Sequence, residues 1–177
     1  MTIIIKKVDI TPLTTNNQFD YLLVGDGSLC SITERIAWAS FVISANGTGE
    51  VLYGLESVRG DIHLAEIAPC LGTMRTIRNR QLISGPFKNR LLVISDNRNL
   101  VAQSTNKGHN YYTGGAWNEI RSYTEFDVYW EYRKRRSNKL LEFVDDICGI
   151  LKSSHESVDD KVRKFCRQKA QSLILKE

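Results

Sequence analysis

The chain has 177 residues, 42% of them apolar and 25% charged, with 24 Lys and Arg against 20 Asp and Glu for a formal net charge of +4. That length and apolar content suffice for one domain with a substantial core, and they argue against a disordered or fibrous polypeptide. No apolar run approaches the ~18 residues of a membrane span and MTIIIKKVDI does not read as a secretory leader, so the expectation is an intracellular, cytoplasmic protein without a membrane partner.

After an N-terminal extension over residues 1–19, YLLVG (21–25) is the first strand-like run. It delivers Asp26 into Gly27, and an Asp-Gly pair after an apolar run ordinarily marks a tight turn. RIAWASFVIS (35–44) and GEVLYGLESV (49–58) follow, separated by Ala45-Asn46-Gly47-Thr48, and Asn-Gly between two such runs signals a hairpin. The three runs read as an antiparallel meander. HLAEIAPCLGTMRTI (63–77) has near-helical apolar spacing, with Pro69 expected to kink the helix or displace its start.

The continuous apolar run Leu91 to Ile94 reads as a strand buried on both faces, ending at Ser95-Asp96 before a helix. Residues 105–115 read as loop, and a short helix is expected around Trp117. FDVYWEYRKR (126–135) has the alternation and aromatic content of a strand, and helices follow at 139–152 and 157–175. The order is β-β-β-α-β-α-β-α with one helix more. Cys30, Cys70, Cys148 and Cys166 show no CxxC spacing and read as buried thiols, not a zinc site or a disulfide framework. Two basic clusters stand out, residues 72–90 with five Lys or Arg and no acid, and Arg133 to Arg136; they keep nucleic acid open as a partner.

A strand-helix-strand crossover returns the chain parallel to the strand it left. Asp26 and Asp96 would then sit at the same end of neighbouring strands about 4.8 Å apart, close enough to share a divalent cation. Glu66, in the intervening helix among Leu64, Ala65, Ile67 and Ala68, is placed to point inward. An N-cap role for Asp96 is the plainer alternative.

GDGS with Asp26, LAE with Glu66, VISDNRN with Asp96, and VYWEYRK followed by EFVDDIC resemble, in that order, the motifs of the type 1 ribonuclease H family. The resemblance spans residues 20–152. It implies an α/β, ribonuclease H-like fold: a five-stranded mixed sheet in the order 3-2-1-4-5, flanked by helices, with the segment 153–177 as an extra helix on the same domain. It also implies a Mg²⁺-dependent endonuclease that cuts the RNA strand of an RNA/DNA hybrid. Asp26, Glu66, Asp96 and a fourth acid would be the catalytic metal ligands for two Mg²⁺ ions, with Mn²⁺ able to substitute. Two such ions activate a water and stabilise the departing 3′ oxygen.

On a helical projection, Leu140, Val144, Ile147, Cys148 and Leu151 form one stripe, with Asp145 on its flank and Asp146 on the solvated side. Asp145 is therefore the preferred fourth acid and Asp160 its main rival, since Asp159 and Asp160 also suit a helix start. Ser28, Asn97, Arg98, Arg75, Arg78, Arg135, Arg136 and Lys139 are the candidate substrate contacts. The loop RKRRSNK lacks the His that many family members carry there, leaving Arg135, Arg136 or Lys139 an electrostatic share of its role; His63, His109 and His155 read as ordinary surface residues. GDIHLAE and DNR also depart from the residues that usually meet ribose 2′-hydroxyls. The rival readings are a DNA nuclease of resolvase type and an inactive nucleic-acid-binding module, with a monomer as the default state.

Overall fold

The structure, a computed structural model, describes residues 3–5, 8, 18–59, 61–80, 88–105, 113–153 and 158–174. Within them the chain forms β1 (Ile3–Ile5), β2 (Tyr21–Leu29), β3 (Arg35–Ser44), β4 (Gly49–Arg59), α1 (Ile62–Asn79), β5 (Asn89–Ser95) and α2 (Arg98–Thr105). Then come α3 (Gly114–Ser122), β6 (Phe126–Tyr132), a 3-10 turn (Arg135–Ser137), α4 (Lys139–Ser153) and α5 (Val158–Leu173). His109 and His155 lie outside the described residues.

The strands make one mixed sheet of six, ordered β1-β4-β3-β2-β5-β6. The expected order of five is contained in it, and the correction is an added edge strand: Ile3, Ile4 and Ile5 pair antiparallel with Val51, Glu50 and Gly49. Three residues are too few to show periodicity, but the pleat is plain once paired, with Ile5 buried and Ile4 exposed. The meander is as expected. Gly47 adopts φ +80 in the β3–β4 hairpin, where the Asn46 side-chain oxygen accepts from the Thr48 amide at 2.9 Å. β5 runs parallel to both β2 and β6.

Alternation along the strands builds two cores. Leu22, Val24, Phe41 and Ile94 pack with Val144 and Ile147 of α4 and with Val162 and Cys166 of α5. On the opposite face Leu23, Leu91 and Val93 meet Ile67 and Met74 of α1 and Trp117 of α3. Each such side chain, fully buried, contributes about 1.5–3 kcal/mol from removal of apolar surface from water. Cys70, Cys148 and Cys166 are buried as expected; Cys30, where the chain leaves β2, is only partly so.

Two local expectations are corrected. Asp26-Gly27 is not a turn: β2 continues through it, pairing Asp26 with Ala39 and Gly27 with Trp38. Pro69 neither starts nor ends α1, which begins at an Asp61 cap accepting from the Leu64 amide at 2.8 Å and runs on to Asn79. Proline has no N–H to give the Ala65 carbonyl four residues earlier, a loss that usually breaks a helix. Here β2 packs against that defect. A Cβ on Gly25 would lie 2.6 Å from Pro69 Cβ, one on Gly27 would lie 1.6 Å from the Ala65 oxygen, and Ser40 Oγ donates to the Pro69 carbonyl at 3.0 Å. The two glycines flanking Asp26 thus exist for close approach of a helix.

Candidate functional site

The parallel ladder between β2 and β5 pairs Tyr21 with Leu91 and ends at Val24 with Ile94. Continuing that register two residues brings Asp26 alongside Asp96. Glu66 arrives from α1, one residue after the Ala65 that Gly27 touches. One carboxylate oxygen from each of Asp26, Glu66 and Asp96 lies within 4.8 Å of the others. Asp26 is buried, and Glu66 and Asp96 are half-buried.

Neighbouring residues hold these acids in place. The N-cap of α2 is Asn97, not Asp96: the Leu100 amide donates to Asn97 Oδ1 at 3.0 Å, while the Asn97 amide donates to Ser95 Oγ at 3.1 Å. Asp96 is therefore left to face the cluster. The Cys148 thiol of α4 donates to the Asp26 backbone carbonyl at 3.2 Å.

Burial, followed by repulsion from Glu66, pushes the Asp26 carboxyl up to about 8, and Asp96 and Asp145 add to the rise against the opposing Arg135 charge. Glu66 is pushed up to about 7 by burial and then by Asp96, opposed by Arg135 and a hydrogen bond with Asn97. One guanidinium, that of Arg135, faces these several acids. The cluster's donor set, carboxylate oxygens only, suits a hard divalent cation such as Mg²⁺ or Mn²⁺.

A cation shared by Asp26 and Asp96 is the sequence expectation, and the structure places the Arg135 guanidinium against these acids. Nε meets Asp96 Oδ2 at 2.5 Å, Nη2 meets Asp26 Oδ1 at 3.4 Å and Nη1 meets Asp145 Oδ1 at 3.4 Å. Arg135 is 46% exposed and reaches in from the 3-10 turn. Asp145 is joined to the site through this arginine but falls outside the 4.8 Å group. Its rivals lie elsewhere, with Asp159 and Asp160 in the first turn of α5 and Asp159 accepting from the Tyr53 hydroxyl at 2.9 Å.

Of the other candidates, Ser28 follows Asp26 on β2, and Arg98 lies 4.6 Å over the Tyr132 ring. Arg136 and Lys139 are exposed beside Arg135. Arg75 and Arg78 are not at the site. Arg75 makes a two-pronged contact with Glu119 at 2.7 Å, and Arg78 meets Glu125 at 3.3 Å, fastening α1 to α3 and its C-terminal flank. The rest of that basic run is paired too, Arg80 with Glu50, Lys88 with Asp127 and Arg90 with Asp20. Its apparent excess charge is neutralised by acids from distant parts of the chain, which no inspection of residues 72–90 reveals. Residues 81–87 lie outside the described ones.

A small hollow beside Glu66, lined by His63, Asn97, Asn99, Gln103 and Thr113, was not anticipated. His63 precedes Glu66 by one helical turn, a spacing that could have flagged it. Nothing in the sequence marks Asn99 or Gln103.

No protein-family profile and no curated protein matches the chain. Solved structures match it in fold. The N-terminal ribonuclease H domain of a Mycobacterium tuberculosis protein, fused to maltose-binding protein, superimposes with TM-score 0.55 and 12% identity over 84% of this chain and 96% of that one. Ribonuclease H1 of Halobacterium salinarum gives 0.53 and 16% over 70% and 92%. LC11 ribonuclease H1 in complex with an RNA/DNA hybrid gives 0.52 and 11% over 80% and 99%. The chain therefore has the ribonuclease H-like fold.

Proposed function

We propose that this protein is a divalent-metal-dependent nuclease that hydrolyses the RNA strand of RNA/DNA hybrids. The observation that carries the reading is the convergence of Asp26 from within β2, Asp96 from the end of β5 and Glu66 from α1 to within 4.8 Å. A fold shared with ribonucleases H, one of them bound to a hybrid, supports it. Asp26, Glu66, Asp96 and Asp145 would hold two Mg²⁺ ions, which when bound supply water activation and stabilisation of the leaving oxygen.

The protein's own groups divide the remaining work. Asp26 is fixed in the middle of the sheet and costs most when charged and uncompensated, so the centre favours cations. Asn97 restrains Glu66 while capping α2. Arg136 and Lys139, with Arg135 once it withdraws, line the rim with positive charge for the substrate backbone, and Arg98 is held over Tyr132 beside it. The hollow with His63, Asn97 and Asn99 offers donors and acceptors to a sugar hydroxyl, which favours RNA.

Arg135 is the observation that favours the rival, a binding module without catalysis, because it neutralises the acids with no metal. The guanidinium itself is 46% exposed, however, and a divalent ion offers the same oxygens twice the charge. The test incubates the protein and Asp96→Asn with Mg²⁺ and labelled hybrid, duplex DNA, duplex RNA and a four-way junction. Hybrid cleavage abolished in the variant supports the reading. Cleavage of DNA substrates alone assigns a resolvase-like activity, and binding without cleavage assigns the inactive module.

A further inference from the structure

We infer that the solvent face of α5 is a docking surface for the sugar-phosphate backbone of nucleic acid, beyond the acid cluster. The inference rests on the proposed function only in taking the docked strand to be an extension of the duplex at that cluster. With the cations of residues 72–90 each facing a carboxylate, the chain's excess positive charge must lie elsewhere. α5 carries Lys161, Arg163, Lys164, Arg167 and Lys169 against Asp159 and Asp160 in its first turn. Lys161, Lys164, Arg167 and Lys169 are all exposed, and among the described residues none of the four has an ion pair. Lys161, Lys164 and Arg167 succeed one another at i, i+3 spacing, so they are neighbours on the helix surface.

The placement of α5 makes the surface reachable from the site. Tyr53 is in register with Ala39, and Ala39 with Asp26, so Tyr53 lies two strands from Asp26 at the same height in the sheet. Strands are about 4.8 Å apart, which puts that step near 10 Å, less than the width of a duplex. The Tyr53 hydroxyl donates to Asp159 at 2.9 Å and holds the first turn of α5 there. From that point the helix runs along the face covered by α4, with Phe165 stacked on Phe143 at 5.5 Å. A backbone leaving the acids across β3 and β4 reaches the first turn of α5, with Asp159 and Asp160, and beyond it Lys161 and Lys164.

A charged helix can also serve an anionic membrane, but that requires an apolar stripe left over to enter the lipid. Val162, Cys166 and Leu173 are buried in the core and Phe165 is packed against it, so the apolar side of α5 is spent. What remains reads charge and spacing, the properties of a phosphate backbone.

The test measures fluorescence anisotropy of a labelled hybrid of about 25 base pairs in EDTA, where no cleavage occurs, across a salt series. The wild type is compared with a variant carrying Lys161→Gln, Lys164→Gln, Arg167→Gln and Lys169→Gln. Each lost phosphate contact lowers the slope of log K against log salt by roughly 0.9, so a decrease of about 2–3 is expected, with weaker binding at low salt. Lys161→Arg with Lys164→Arg should retain the wild-type slope and shows that charge is what is read. An unchanged slope in the quadruple variant overturns the inference, as does tighter binding to vesicles of anionic phospholipid than to the hybrid. A lowered slope in a protein that cleaves nothing leaves this surface standing and removes the nuclease reading; cleavage with an unchanged slope does the reverse.

Discussion

Gly27→Ala tests whether the glycines beside Asp26 set the position of Glu66. The added Cβ would sit 1.6 Å from the Ala65 oxygen and 2.3 Å from its carbonyl carbon, whereas ordinary contact begins near 3.4 Å. Both atoms belong to the backbone of a helix, so no side chain can rotate away. Helix α1 or strand β2 must yield by roughly 1.8 Å in a close-packed interior. Overpacking of this kind costs about 1–3 kcal/mol, and backbone against backbone belongs at the upper end. For a chain of this size that is a fall in Tm of roughly 6–12 °C.

Glu66 is the next residue after Ala65, so Mg²⁺ or Mn²⁺ affinity, read by calorimetry, should drop about tenfold with it. Gly149→Ala is the matched control. Its Cβ meets nothing within 4 Å, and on the exposed face of α4 alanine should raise stability by about 0.5–1 kcal/mol. If Gly27→Ala unfolds in denaturant at the wild-type midpoint and binds metal as the wild type does, the account of how α1 is seated is refuted.

Four further outcomes are expected. Arg135→Gln should bind Mg²⁺ or Mn²⁺ about five- to tenfold more tightly by calorimetry and be less stable in EDTA, because it removes a competitor for the acids; equal affinity would mean the guanidinium does not compete. The pKa values of Asp26 and Glu66 are raised in the fold, so the folded state binds more protons than the unfolded chain above pH 4. Metal-free stability should therefore be greatest in that respect below about pH 4 and be lost as pH rises through about 7 to 8, a trend that Asp26→Asn should flatten in thermal melts. Thr73→Val should hold or raise stability by up to about 1 kcal/mol in urea, since among the described residues Thr73 Oγ1 is buried without a partner. Glu119→Ala should cost about 1 kcal/mol and release Arg75 and the Tyr123 hydroxyl, and a double-mutant cycle with Arg75→Ala should show the two to be coupled.

The amino-acid sequence determined β2 to β6, the hairpin at Asn46-Gly47 and the helices, because alternation, helical spacing and turn residues act over a few positions, whereas the three-residue β1 shows only once paired with β4. It also placed Glu66 on the helix of the β4-α1-β5 crossover and Asp96 at its end, and the direction of that crossover makes β5 parallel to the β2 strand that carries Asp26. Local signals misled where a distant partner decided the outcome. Asp26-Gly27 reads as a turn until β3 pairs with it, and Pro69 reads as a break until β2 packs against the defect. Tertiary structure alone decided the charge map: the conspicuous basic run at 72–90 is cancelled by Glu50, Glu119, Glu125, Asp127 and Asp20, while α5 keeps its charge and Arg135 turns inward. Coulomb interactions depend on distance through space, and separation along the chain carries no information about it.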